Sequence, residues 1–139
     1  MIGRAGLALA VGLAASSALA SAAEPVRYTV RYGLTLGTFE PVAGEALCIA
    51  DADCVIPLSL SPRIEISLRG HPENPRWGTA FVFCPGMDCG FGNGRRTTGY
   101  GGRVNRLLIY DGVAQEGGIE ILGLRRLPLL GQFDFAISR

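Results

Sequence analysis

The chain contains no lysine: its 13 basic residues are all arginine, set against 12 acidic ones. Only one histidine, His71, is present, so a metal centre built on several imidazoles is excluded. No Gly-x-Ser-x-Gly elbow or His-Glu-x-x-His helix motif occurs, and neither cysteine pair has the Cys-x-x-Cys spacing of a redox dithiol. Beyond residue 23 no stretch carries a helical period, and none holds the roughly 18 consecutive apolar residues that a spanning helix needs. No cofactor motif is found, and none is expected.

The first 23 residues read as a secretory signal peptide. Arg4 supplies the positive start, Leu7 to Ala15 the apolar run, and Ser21-Ala22-Ala23 a small-x-small cleavage site. The run is too short to span a bilayer. Cleavage there leaves residues 24–139, 116 in number, as one domain long enough for a core. It removes Arg4 and leaves 12 positive and 12 negative side chains, so bulk attraction to nucleic acid or to an anionic membrane is not expected. All four cysteines fall in this domain, and an exported chain with an even count is expected to pair them. Local pairing, Cys48 with Cys54 and Cys84 with Cys89, is the first choice because each pair brackets a turn-like segment. Pairing between the two segments stays open. These features place the protein in the periplasm or outside the cell.

What is abundant is alternation. Val26, Tyr28, Val30 and Tyr32 share one face of a strand, and Arg27, Thr29 and Arg31 the other. Gly33 breaks that strand, Leu34 to Phe39 form a short second one, and Glu40 to Gly44 a loop. Two short strands flank the acidic turn Ala50-Asp51-Ala52-Asp53, and Pro57 places the second of them at a sheet edge or on a bulge. Asp51 and Asp53 could meet a hard cation, but the further ligands of a calcium loop are missing; no metal site is expected.

Ile64, Ile66 and Leu68 alternate with Glu65, Ser67 and Arg69, and His71-Pro72-Glu73-Asn74-Pro75 stops the strand. The chain resumes with Trp77, Thr79, Phe81 and Phe83 on one face and Gly78, Ala80 and Val82 on the other. Large residues opposite small ones suggest a mid-sheet strand packed on both sides. Val104 to Tyr110, Ile119 to Leu124 and Gln132 to Ser138 read as further strands, with Arg125 to Gly131 a connection. The expected fold is therefore all-β: an antiparallel β-sandwich, Greek-key/Ig-like or jelly-roll-like, of about 7–9 short strands stapled by disulfides. The Cys–Trp–Cys order of an antibody domain is imitated, but at the wrong spacings.

Residues 90–102 hold six glycines. A glycine loop cradles phosphate when it opens a helix, and no helix follows here. Asn93-Gly94 is instead a hairpin-turn signal. Arg95, Arg96 and Arg103 beside Tyr100, read as exposed, with His71 in its own turn, make the candidate ligand-binding set. No catalytic constellation is recognisable. The expected function is an exported, non-enzymatic binding module that recognises an envelope protein or glycan through loops or a sheet edge. The alternative is a small envelope-polysaccharide hydrolase using paired carboxylates as acid and base; Glu65, Glu73 and Glu120 read instead as solvated strand and turn residues. The sequence leaves the oligomeric state open.

Overall fold

The computed structural model describes Gly12 and residues 24–58, 64–113 and 127–139. The expected signal peptide (but for Gly12), the strand expected over 119–124 and Glu120 lie outside those residues.

Nine strands occur among the described residues: β1 (Arg27–Leu36), β2 (Val42–Ile49), β3 (Asp53–Ile56), β4 (Glu65–Gly70), β5 (Trp77–Phe83), β6 (Cys89–Phe91), β7 (Thr97–Gly101), β8 (Val104–Asp111) and β9 (Leu129–Ser138). They form two antiparallel sheets, one of five strands in the order β2-β1-β9-β8-β6 and one of four in the order β3-β4-β5-β7. The sheets pack as a sandwich, as the alternation predicts.

Each inner face follows from period two. β1 contributes Tyr28, Val30, Tyr32, Leu34 and Leu36, and β9 contributes Phe133, Phe135 and Ile137, all buried. These two strands pair from Thr29↔Ser138 to Leu36↔Gly131, so the last strand is tied into the middle of the five-stranded sheet. From the opposite sheet come Ile66, Leu68, Ala80 and Val82, each fully buried. Burying a side chain such as Ile66 or Leu68 is worth about 1.5–3 kcal/mol. Aromatic rings bridge the layers: Tyr100 of β7 meets Phe135 of β9 edge-on at 5.2 Å, and Phe135 lies 5.3 Å from Phe133.

Both disulfides form with the expected local pairing, Cys48–Cys54 and Cys84–Cys89. Their placement was not legible. Cys48 lies on β2 and Cys54 on β3, strands at the margins of different sheets; Cys84 directly follows β5, and Cys89 opens β6 in the other sheet. Each staple thus closes a point where the chain crosses between layers. At the first crossing Asp51 takes a left-handed backbone (φ 59°), and its amide donates to the Gly70 carbonyl at 2.8 Å. Aspartate tolerates that conformation better than most residues, which gives Asp51 a corner-forming role.

Three expectations are corrected. Gly33 does not end β1: it pairs with Ala43 on one side and Asp134 on the other, and the two ladders carry the strand through. The turn falls at Gly37 (φ 47°), and the expected loop over 40–44 gives its last three residues, 42–44, to β2. Residues 90–102 are not one loop, since β6 and β7 lie within them in separate sheets. The Asn93-Gly94 turn is present, with the Gly94 amide donating to Phe91 O at 2.9 Å. Finally, β5 lies inside its sheet as expected but is packed on one face only. Ala80 and Val82 are buried, whereas Trp77, Phe81 and Phe83 are 59%, 42% and 42% exposed. In a two-layer sandwich a strand has only one inner face. Ala80 and Val82 join the buried core cluster with Phe133 and Phe135, so the small face turns inward and the aromatic face outward.

Candidate functional site

The residues expected to form a ligand-binding set are divided between the two ends of β7. Arg96 adjoins the start of β7, where its carbonyl accepts from the Val82 amide at 2.9 Å and its guanidinium pairs with Asp88 at 2.8 Å. Arg103 follows the other end of β7, beside Gly102, whose amide donates to Arg76 O at 3.0 Å. The length of β7, about 16 Å at the rise of a strand, separates these ends. Arg95 stays in the β6–β7 turn, its amide donating to Asn93 Oδ1 at 2.9 Å. His71 caps the β4–β5 hairpin, where its Nδ1 accepts from the Glu73 amide at 3.2 Å.

Tyr100 corrects the expectation of exposure outright: it is 6% exposed, and its hydroxyl donates to Pro75 O at 3.2 Å. Its ring lies over its cross-strand partner Gly78, where a Cβ would collide with it. Burial raises its phenol well above the ordinary value of 10.0, and the nearby Tyr28 phenol adds to the rise. Tyr28 is raised as well, mainly by burial, against which the nearby Gly70 backbone and Tyr100 hydroxyl act; its own hydroxyl makes no close hydrogen bond among the described residues.

What the tertiary structure does assemble is the outer face of the four-stranded sheet. The ladder sets two rows of outward side chains across the strands. One row is Asp53, Arg69 and Thr79; the other is Val55, Ser67, Phe81 and Thr97. Together they line an open depression of about 530 Å³, within the range of small-ligand sites. Trp77 and Phe83 continue the β5 row beyond its two ends. At the rise of a strand, Phe81 and Phe83 stand about 6.6 Å apart and Trp77 and Phe81 about 13 Å. The six-membered ring of Trp77 rests against its cross-strand partner Gly101, where a Cβ would collide with the ring. An aromatic ring covering a glycine in this way is a known device for stiffening a sheet. Here it also holds Trp77 against the face.

The polar groups of the depression are few and balanced. Arg69 Nε meets Asp53 Oδ1 at 3.0 Å. That single contact leaves the Arg69 Nη donors and Asp53 Oδ2 without a protein partner among the described residues. The Ser67, Thr79 and Thr97 hydroxyls supply further donors and acceptors.

Glu65 and Glu73 do not form a carboxylate pair. Glu65 opens β4 and Glu73 lies beyond its far end, separated by more than the roughly 17 Å that β4 spans, against about 5–9.5 Å for glycosidic chemistry. Among the described residues no three His, Cys, Asp or Glu side chains stand together to hold a metal ion, and no helix is long and apolar enough to cross a membrane.

Composition alone did not reveal this face; the signal lay in the hairpin register. Seven residues, His71 to Trp77, separate the paired Gly70 and Gly78. That odd number puts Ile66 opposite Val82 and Leu68 opposite Ala80, so the core side of β4 selects the small side of β5.

Compared with protein-family models, curated proteins and solved structures, the chain matches none.

Proposed function

We propose that this chain is an exported, non-enzymatic binding module whose recognition surface is the outer face of β3-β4-β5-β7. The observation that carries the reading is the exposed aromatic row Trp77, Phe81 and Phe83 flanking and lining an open depression on a regular sheet. Large aromatic side chains left in water lose their burial energy, and they anchor interfaces when a partner covers them. Export is supported by the leader pattern in residues 1–23 and by two disulfides, which are consistent with an oxidising compartment. A rigid sheet face suits binding, because its side chains are pre-placed by the ladder rather than ordered at the moment of contact.

The experiment uses the oxidised protein as bait for an envelope extract, alongside two double variants. Trp77→Ala with Phe81→Ala removes the face; Arg95→Ala with Arg96→Ala removes the charges at the β6–β7 turn. The expected result is that the first variant loses retention of an envelope component and the second keeps it. Retention that survives loss of both rings would overturn the reading.

A further inference from the structure

We infer that the ligand of this face is an uncharged glycan chain, an inference that rests on the outer face of the four-stranded sheet being the recognition surface. The depression carries one positive and one negative side chain, Arg69 and Asp53, already in contact at 3.0 Å, so it presents no net charge. A nucleic acid or an acidic polymer needs uncompensated cations, and none lines the depression. A protein partner would have to bury the Arg69–Asp53 pair at the centre of its interface, where desolvation of both ions opposes binding. A lipid chain would leave the same pair and three hydroxyls unsatisfied.

A neutral sugar ring answers each of these groups. Its C–H faces are apolar and lie flat on aromatic rings, while its hydroxyls donate and accept around the rim. Phe81 supplies the ring beside the pair. The Arg69 Nη groups donate, Asp53 Oδ2 accepts, and Ser67, Thr79 and Thr97 do either. The surface is a row rather than a pocket, since Trp77 and Phe83 repeat the aromatic contact along β5 on either side of Phe81. A ligand that repeats its rings matches a row; a single small molecule would use one position only.

Trp77 is the only tryptophan of the chain and stands beside the depression. Its fluorescence therefore reports occupancy of this face. Purified oxidised protein is titrated with neutral oligosaccharides (cellohexaose, xylohexaose, mannohexaose and maltohexaose), with an oligogalacturonate and with phosphatidylglycerol vesicles, following Trp77 emission and, in parallel, the heat of binding. At least one neutral oligosaccharide is expected to give a saturable blue shift that the uronate and the vesicles do not. Phe81→Ala and Arg69→Met should each weaken it by about tenfold, the order of one stacked ring or one charge-assisted hydrogen bond, while Arg31→Ala on the opposite sheet leaves it unchanged. If no neutral oligosaccharide produces shift or heat, the emission is followed with envelope extract pretreated with periodate or with protease. A response destroyed by periodate and spared by protease supports a glycan outside the panel. A response spared by periodate overturns the glycan but leaves the surface standing. No response to untreated extract overturns both.

Discussion

The two outer faces of this sandwich are built by the same rule and end up chemically opposite. On the five-stranded sheet the central strands present Arg27, Thr29, Arg31 and Thr35 from β1, and Gln132, Asp134, Ala136 and Ser138 from β9. Cross-strand ion pairs tie neighbours together, Arg31 with Glu45 at 3.4 Å and Arg106 with Asp134 at 2.9 Å. Its exposed apolar side chains are Leu47 and Ile49 on the edge strand β2, and Val104 and Leu129 at the very starts of β8 and β9. On the four-stranded sheet the middle of the face carries Phe81, with Trp77 and Phe83 in line. The first face is polar across its central strands. The second leaves rings and polar donors facing solvent. Solvent exposure alone therefore does not dictate a polar sheet surface; a regular strand accepts an aromatic outer row when its other row fills the core.

The sharpest way to test that contrast is to remove one ring from each side. Phe133→Ala, on the inner face, should destabilise the protein by about 3–5 kcal/mol in chemical denaturation. Trp77→Ala, on the outer face, should cost about 1 kcal/mol or less, as surface changes do. Equal losses would mean that the outer row is structural. Next in size, replacing Cys48 and Cys54 together by alanine, or Cys84 and Cys89 together, should each lower stability by about 2 kcal/mol from the short loop closed. Because each bond joins the two sheets, amide exchange should rise at β3 for the first variant and at β6 for the second. Exchange that rises evenly throughout would contradict sheet-crossing staples.

The interior predicts a pH effect that the exterior does not share. Tyr28 and Tyr100 are both held above the ordinary phenol value of 10.0 by burial. The unfolded chain then releases these protons first, so it binds fewer protons than the native state, and stability falls as pH rises past that value. Denaturation midpoints should be level near pH 8 and decline from about pH 10 upward. Tyr28→Phe, which deletes a buried hydroxyl that makes no close hydrogen bond among the described residues, should weaken that decline at little cost at neutral pH. The smallest effect belongs to the polar face. Asp134 is opposed by partial burial, yet hydrogen bonds from Gln132 and Arg106 and the Arg106 charge outweigh this and hold its carboxyl below the usual value. Such a group stabilises above its unfolded pKa, and the contribution is lost as pH falls through the folded one. Arg106→Ala should cost only about 0.5 kcal/mol at neutral pH and flatten the acid limb; a larger loss would make the polar face more than a solvated surface.

The fold was legible to a good depth because burial in a sheet has a period of two, and β1, β4 and β9 alternate without ambiguity. Short spacings around turns made local cysteine pairing the first choice, and the tertiary structure then excluded pairing between the two segments. β5 was not, because both of its rows are apolar and period two cannot say which of two apolar faces turns inward. The burial of Tyr100 was hidden for a related reason. Tyr100 sits in a glycine-rich stretch that resembles an open loop, yet the ladder of β5 places its ring over Gly78 and under Pro75.

By itself, then, the sequence determined the class of the fold and the strands with one apolar face, which depend on residues close together in the chain. The tertiary structure alone decided which crossings the disulfides close, which side of β5 meets water, and that Asp53, Arg69, Phe81 and Thr97 share one surface. Those outcomes depend on strand order and register. Register is set by pairing between segments distant in the chain, and a shift of one residue would have turned every side chain of β5 to the other face.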